Sequence, residues 1–419
     1  MSVSALAQNL RGSEIIKIAA EINELKRKGE NIANLTIGDF DSNIYPIPAE
    51  LKQGIIEAYG QNQTNYPPAD GMLNLRESVS KFLKQRCGLD YAAANEILIS
   101  GGSRPLIYSI YLAVVNPGEK VVFPAPSWNN NHYCDLLKAD GIMVQTLPEN
   151  NFMPTADELR PYIKGAALLA LCSPLNPTGT MFSKKDLEEI CDLVIEENKT
   201  RAEGEKPLYL LYDQIYSQLT FGEHKHYDPV TLRPELRNYT IFVDGGSKCF
   251  AATGVRVGWG FGPAKIVNNM KAIVGHMGAW APKAEQVAMA KYLAGESTVN
   301  TYLDNIKEHV QTSLNSLHSG FQQLKAEGFA VDSIEPMGAI YLTIKIDYLG
   351  KTTPEGKVLE TATDINFYLI KNAGIAFVPF SAFGTGEDMA WFRASVGTIT
   401  NEDIQLTIPR IKAALEKLK

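Results

Sequence analysis

Strand-sized apolar runs recur through the middle of the chain, and each is followed by a loop rich in Gly, Pro or Asn and then by a helical stretch. The runs occupy residues 97–100, 120–123, 141–144, 166–171, 208–212 and 241–243. Several are apolar at consecutive positions instead of alternate ones. That pattern suits strands covered on both faces, as in a mostly parallel sheet wrapped by helices. Residues 105–115 read as a helix with Pro105 in its first turn. Residues 184–197 keep Leu187, Ile190, Cys191, Val194 and Ile195 at helical spacing. The segment 46–299 is therefore expected to form a large α/β domain. Asn198 to Lys206 offers nothing to bury and reads as a surface loop.

Beyond 299 the rhythm changes. A long polar helical stretch over 297–327 precedes strand-like 339–346, a helix near 364–373, and strand-like 376–378 and 389–396. With an N-terminal arm, these predict a smaller α+β domain built from both chain ends, residues 1–45 and 300–419. A length of 419 residues suits such a division, because one hydrophobic core rarely serves so long a chain.

Charge and cysteine content exclude several classes of function. Lys and Arg number 40 against 47 Asp and Glu, a net −7, which does not suit a nucleic-acid carrier. No apolar run approaches the roughly 20 residues of a membrane span, and charges punctuate the start of the chain, so neither a span nor a secretory signal is expected. Cys87, Cys134, Cys172, Cys191 and Cys249 are odd in number and form no CxxC, so a reducing cytoplasm is the expected setting. His224 and His226 lack metal-ligand spacing; a solvated loop is expected there, and no metal. Gly258 to Gly262 lacks the GxGxxG spacing and reads as strand and turn.

In open parallel sheets ligands sit at the carboxyl ends of strands, and here those ends carry polar groups. Gly102-Ser103, at a helix start, is either an anion site or a simple cap. Asp213 ends an apolar strand, where it could cap the chain or hold a proton on a pyridine nitrogen. Lys248, among glycines and beside Cys249 and Phe250, is either a surface charge or an amine able to lose its proton and attack a carbonyl. Arg256 and Arg393 sit inside apolar runs and need an anionic partner, from the protein or from a ligand.

Four motifs in order then carry a family resemblance. Ser-Pro-Leu-Asn-Pro-Thr-Gly (173–179), Asp-Gln-Ile-Tyr (213–216), Ser-Lys-Cys-Phe-Ala-Ala-Thr-Gly-Val-Arg-Val-Gly (247–258) and Trp-Phe-Arg-Ala-Ser (391–395) resemble the class I/II aminotransferases. These are pyridoxal-phosphate enzymes of the aspartate aminotransferase fold, and the resemblance runs from Ile37-Gly38-Asp39 to Arg393. It implies that Lys248 forms the Schiff base with the cofactor aldehyde and shuttles the proton between Cα and C4′. Asp213 would pair with the pyridine nitrogen, and Asn176 and Tyr216 would hydrogen-bond the ring O3′. Ser103, Ser247, Arg256 and the Gly102 amide would hold the phosphate, with Arg104 beside them in the cofactor site and Trp128 stacked on the ring. Arg393 would grip the substrate α-carboxylate, assisted by Gly38 and Asn176. Tyr66, in Tyr-Pro-Pro-Ala-Asp-Gly, matches the tyrosine that reaches the phosphate of the neighbouring subunit, so a homodimer is implied.

The implied reaction moves an amino group from an L-amino acid to a 2-oxo acid, 2-oxoglutarate, in two half-reactions. Relatives with a similar lysine environment run lyase, decarboxylase or synthase chemistry, and others are non-enzymatic regulators with an added DNA-binding module. The acidic balance argues against the regulator. Departures from the family pattern are Gln214 for the usual Glu, and Phe380 for a small residue in 378–384, expected to narrow or re-line the pocket. Ser103-Arg104-Pro105 replaces a Gln and Ala found in many relatives, and Arg104 or His276 is expected to supply charge for a distal carboxylate.

Overall fold

The apolar runs form strands whose side chains divide between two cores. The computed structural model describes residues 3–9, 18, 20, 22, 24, 27–29 and 31–419, so much of the expected N-terminal arm lies outside the described residues. Its strands are β1 (Ala33–Asn34), β2 (Ile97–Ser100), β3 (Lys120–Ala125), β4 (Asp140–Gln145), β5 (Leu168–Cys172), β6 (Tyr209–Asp213), β7 (Thr240–Gly245), β8 (Gly258–Phe261), β9 (Val331–Ser333), β10 (Tyr341–Ile346), β11 (Ile375–Ala376), β12 (Val378–Pro379) and β13 (Trp391–Ser395).

A seven-stranded sheet has the order β2-β8-β7-β6-β5-β3-β4. The pairs from β4 through β7 are parallel, whereas β8 runs antiparallel to both β2 and β7. On β5, Leu169 and Leu171 enter the core on one face while Leu168 and Ala170 enter the core on the other. On β7, Phe242 and its neighbours Ile241 and Val243 divide in the same way. This is why the central runs are apolar at every position: each side chain there has a layer to bury against, worth roughly 1.5–3 kcal/mol apiece, whereas on the edge strand β4 Val144 is buried and Met143 is exposed.

The helix expected at 184–197 extends over Lys184–Thr200, with Ser183 capping its start by accepting the Asp186 N–H at 3.1 Å. The segment after it is exposed over residues 202–205, as the surface loop expected, but its ends are tied down. Arg201 pairs with Glu197 at 2.8 Å and both side chains are nearly buried, while Asn198 donates to Leu208 O at 3.0 Å and accepts Leu208 N–H at 2.7 Å. Polar side chains are partly covered at the two ends of this segment because each one has a partner. The helix expected at 105–115 begins two residues earlier, as Ser103–Val114.

A second, antiparallel sheet of order β12-β13-β10-β9 shares a core with Leu35, Phe40 and Tyr45 near one end of the chain and Ile404 and Ile411 near the other. The short β1 lies parallel to β11. The helix Glu296–Ala326 places Val299 and Leu303 in the core of the large sheet and Ile306 to Leu324 in that of the small one. The division expected at 299 thus falls inside one continuous helix. Among the described residues, no helix is long and apolar enough to cross a membrane. The carboxyl ends of β5, β6 and β7 face β10 and β13, and the cavity between them collects the polar groups.

Candidate active site

A cavity of about 620 Å³ opens where the two sheets meet, lined among others by Gly38, Ser103, Arg104, Trp128, Asn176, Asp213, Tyr216, Ser247, Lys248, Arg256, Tyr341 and Arg393. Lys248 enters it from the short helix Gly246–Cys249 that follows β7. Its Nζ donates to Gly38 O at 2.6 Å. Burial lowers its pKa to about 8; Asp39 opposes the shift, while Arg393, Arg104 and Arg256 add to it. Near neutral pH a usable share of the amine is therefore free of its proton, which nucleophilic attack requires.

Asp213 closes β6, and its Oδ1 accepts the Ile215 N–H at 3.0 Å. Burial raises this carboxyl to about 6, and no cation pairs with it among the described residues. A buried carboxylate without a counter-charge suits a ligand that brings a cationic N–H. Beside it the Tyr216 hydroxyl lies 2.6 Å from that of Tyr341, and burial pushes the Tyr216 hydroxyl well up.

Arg393, on β13, is buried, with Nη1 donating to Asn176 Oδ1 at 3.0 Å and Nη2 to Thr36 O at 2.5 Å. Its Nε is buried without a partner among the described residues. The guanidinium lies 4.7 Å from the ring centre of Tyr341, 5.0 Å from that of Phe383 and 6.0 Å from that of Trp128. Burial lowers its pKa, yet no carboxylate of the described residues meets it. An aromatic cage with a planar fork inside it is a receptor for a small carboxylate.

The opposite end of the cavity is an anion cradle. Ser103 starts a helix of 12 residues whose free N–H groups and dipole face the cavity. Arg256 is held by Thr253 O at 2.8 Å and Gly101 O at 2.7 Å, with its own backbone at φ 58°. A left-handed arginine is costly, and such conformations concentrate at functional sites. Gly102, at φ 98°, sits behind the cradle; any Cβ there would run into the Arg256 guanidinium. At the far end Gly38 has a similar role, because a Cβ there would come within 2.6 Å of the Tyr341 hydroxyl.

The donor set fits pyridoxal 5′-phosphate. The cradle suits a phosphate, Asp213 a basic ring nitrogen, Trp128 a ring face and Lys248 an aldehyde.

Several sequence expectations fall elsewhere. Phe380 does not narrow the cavity: it is buried, edge-on to Phe152 with ring centres 5.1 Å apart, and the residue that presents its ring to Arg393 is Phe383. Gln214 turns away from the cavity, with Nε2 donating to Asp244 Oδ2 at 3.2 Å. His276 lies exposed in the last turn of Ala264–Met277, outside the cavity lining, so Arg104 alone of the two cations expected for a distal carboxylate stands there. Tyr66, expected to serve the neighbouring subunit and not this cavity, is 82 % exposed and edge-on to Trp280. His226 is no solvated histidine: its Nδ1 is buried without a partner among the described residues, its Nε2 is 3.4 Å from Gln214 Oε1, and burial lowers its pKa to about 4. Sequence reading misses Thr36, whose contribution is a carbonyl, and Phe383, whose motif draws attention only to Phe380.

The match to known proteins spans the chain. The family described as aminotransferase class I and II matches residues 30–411. A probable aspartate/prephenate aminotransferase of Rhizobium leguminosarum bv. phaseoli is 29% identical over 408 residues, 96% of each chain. The aspartate aminotransferase of Rhizobium meliloti (strain 1021) is 28% identical over 411 residues, covering 97% of this chain and 94% of its own length. The crystal structure of the aspartate aminotransferase from Rhizobium meliloti superposes with a TM-score of 0.88 at 26% identity over 100% of both chains. An aromatic aminotransferase from Pyrococcus horikoshii OT3 does so with a TM-score of 0.81 at 27% identity, covering 95% of this chain and 98% of its own. With its lysine, its caged arginine and its anion cradle at one cavity, the chain belongs to the class I and II aminotransferases.

Proposed function

We propose that the protein is a pyridoxal-phosphate-dependent aminotransferase that moves the amino group of an L-amino acid to 2-oxoglutarate in two half-reactions. The observation that carries this reading is the buried, carboxylate-free Arg393 guanidinium sharing a cavity with Lys248. When bound, pyridoxal phosphate supplies an aldehyde to condense with amines and a ring that takes up negative charge from the substrate α-carbon.

The chain's own residues do the rest. Arg393 fixes the α-carboxylate through its fork, which orients the Cα–H bond for cleavage. The Lys248 amine, once freed from Gly38 O, accepts the α-proton and returns it at the other end of the reacting system. Asp213, ionised against a cationic ring N–H, keeps that charge in place. Asn176 and Tyr216 would hold the ring hydroxyl, while Ser103, Ser247 and Arg256 would anchor the phosphate; the Gly102 amide expected to join them already donates to Ser100 O at 2.7 Å. Trp128 covers the ring and excludes water.

Arg104 supports a dicarboxylic partner. Its guanidinium is 5.2 Å from the Trp128 ring centre, in the same cavity as Arg393, and it forms no ion pair among the described residues. It is the cation we assign to the distal carboxylate of 2-oxoglutarate. Relatives named for aspartate or prephenate and for aromatic amino acids leave the donor to a substrate screen. The exposed Tyr66 beside Trp280 supports a homodimer in which Tyr66 reaches the neighbouring phosphate, and the unpaired cysteines support a cytoplasmic setting.

Incubating the cofactor-loaded protein with single amino acids and 2-oxoglutarate tests the reading. Glutamate formation is the expected result. Ammonia and pyruvate appearing without an acceptor would replace it with elimination chemistry.

A further inference from the structure

Behind the cavity, on the other face of the sheet, two buried polar side chains join the ends of neighbouring strands. Gln214 is the first residue after β6 and Asp244 is the penultimate residue of β7. Both are almost wholly buried, at 0 % and 2 % exposure. The Gln214 backbone N–H extends the ladder by donating to Val243 O at 2.9 Å, and its side-chain Nε2 donates to Asp244 Oδ2 at 3.2 Å. The other carboxyl oxygen, Oδ1, accepts the Gly245 N–H at 2.7 Å. Gln214 Oε1 faces His226 Nε2 at 3.4 Å.

These strand ends carry the chemistry. Asp213 immediately precedes Gln214, and Gly245 leads through Gly246 and Ser247 to Lys248. We propose that the hydrogen bond from Gln214 to Asp244 is a positioning element of the active site, fixing the carboxylate of Asp213 and the amine of Lys248 relative to each other. The inference rests on the pyridoxal-phosphate reading given above.

Donor and acceptor accounting shows how specific the pair is. Asp244 accepts at both oxygens, from Gly245 N–H and from Gln214, so an asparagine there would point its NH₂ at one donor or the other. A glutamate at 214 would set carboxyl against carboxyl. Exchanging both restores the pair and the Gly245 bond: the amide introduced by Asp244→Asn accepts from the Gly245 N–H through its oxygen and donates through its NH₂ to the carboxylate introduced by Gln214→Glu. That carboxylate still faces His226. Groups able to respond electrostatically are Asp213 on β6, His226, and the thiols of Cys87 and Cys249, both of which feel Asp244. Asp244 itself is raised to about 7, chiefly by burial.

The test compares Gln214→Glu, Asp244→Asn and the double exchange, each loaded with pyridoxal phosphate. The readouts are the pH midpoint of the visible absorption band, the cofactor dissociation constant and the melting temperature. We expect each single variant to shift the midpoint and to weaken cofactor binding by about fivefold or more, the worth of one mismatched hydrogen bond. The double exchange is expected to restore both. Singles that melt earlier while keeping the parental midpoint and affinity would make the pair merely structural and overturn the inference. So would a double exchange as defective as the singles. If the singles do not fold, a double exchange with the parental midpoint supports the inference, and one that also fails overturns it. A parent protein that acquires no visible band would overturn the functional reading itself, and the inference with it.

Discussion

The hydroxyls of Tyr216 and Tyr341 stand 2.6 Å apart, one from the turn after β6 and the other from β10 of the small sheet. The bond ties the two sheets together at the cavity wall, and burial raises both hydroxyls above the usual tyrosine range. Tyr341→Phe would leave the Tyr216 hydroxyl without this partner, at about 1–3 kcal/mol. We expect a lower melting temperature and a faster loss of cofactor on dilution. An unchanged melting temperature together with an unchanged cofactor off-rate would show the bond to be dispensable.

Lys248→Ala removes the amine whose pKa the cavity lowers to about 8. The loaded variant is expected to lack the parental visible band and to turn over at least about a thousandfold more slowly, as removal of a covalent and proton-transfer group usually costs. A small primary amine added to the solution should restore the band. Retention of parental absorbance without added amine would exclude Lys248 as the attachment point.

Arg393 and Arg104 should separate by substrate. Arg393→Gln is expected to lower kcat/KM for every α-amino acid, by about 2–5 kcal/mol of lost charge pairing. Arg104→Ala should spare alanine and the aromatic amino acids while weakening aspartate, glutamate and 2-oxoglutarate. Steady-state kinetics with a matched panel decides; equal losses on alanine and aspartate in Arg104→Ala would remove its assigned role.

Asp213 makes the free protein pH-sensitive. Its folded pKa of about 6 lies above its ordinary 3.8 because burial disfavours the charge. Stability from this group is therefore full below the ordinary value and is lost as pH rises through about 6. Asp213→Asn should leave the cofactor-free protein unchanged near pH 4 and stabilise it above pH 7, by something on the order of 3 kcal/mol. In the loaded protein the same substitution should instead weaken cofactor binding. Denaturant melts at both pH values check the first part; a stabilisation independent of pH would contradict it.

Much of this could be read from residue order. Strand runs such as 208–212 and 241–243 announce themselves because both faces of a parallel sheet need apolar cover, and that demand is local. Lys248, Asp213 and Arg393 are legible because each is a charged residue set in an apolar context. The direction of a side chain is not legible. Phe380 and Phe383 stand in one short motif, yet a 3-10 turn over Phe380–Phe383 sends the first into the core and the second to Arg393. Gln214 follows Asp213, and strand alternation sends it to the opposite face. Thr36 could not be found by composition at all, since its part is a backbone oxygen.

The collision that any side chain at Gly102 would suffer has an evolutionary side. Gly258 lies against the Gly102 backbone, and Arg256 fills the space beside it, so Gly102, Arg256 and Gly258 interlock across the edge of the large sheet. None of these can drift without displacing another. A residue change at any one of the three has to be matched at another, so the anion cradle and the edge of the sheet that carries it form one unit.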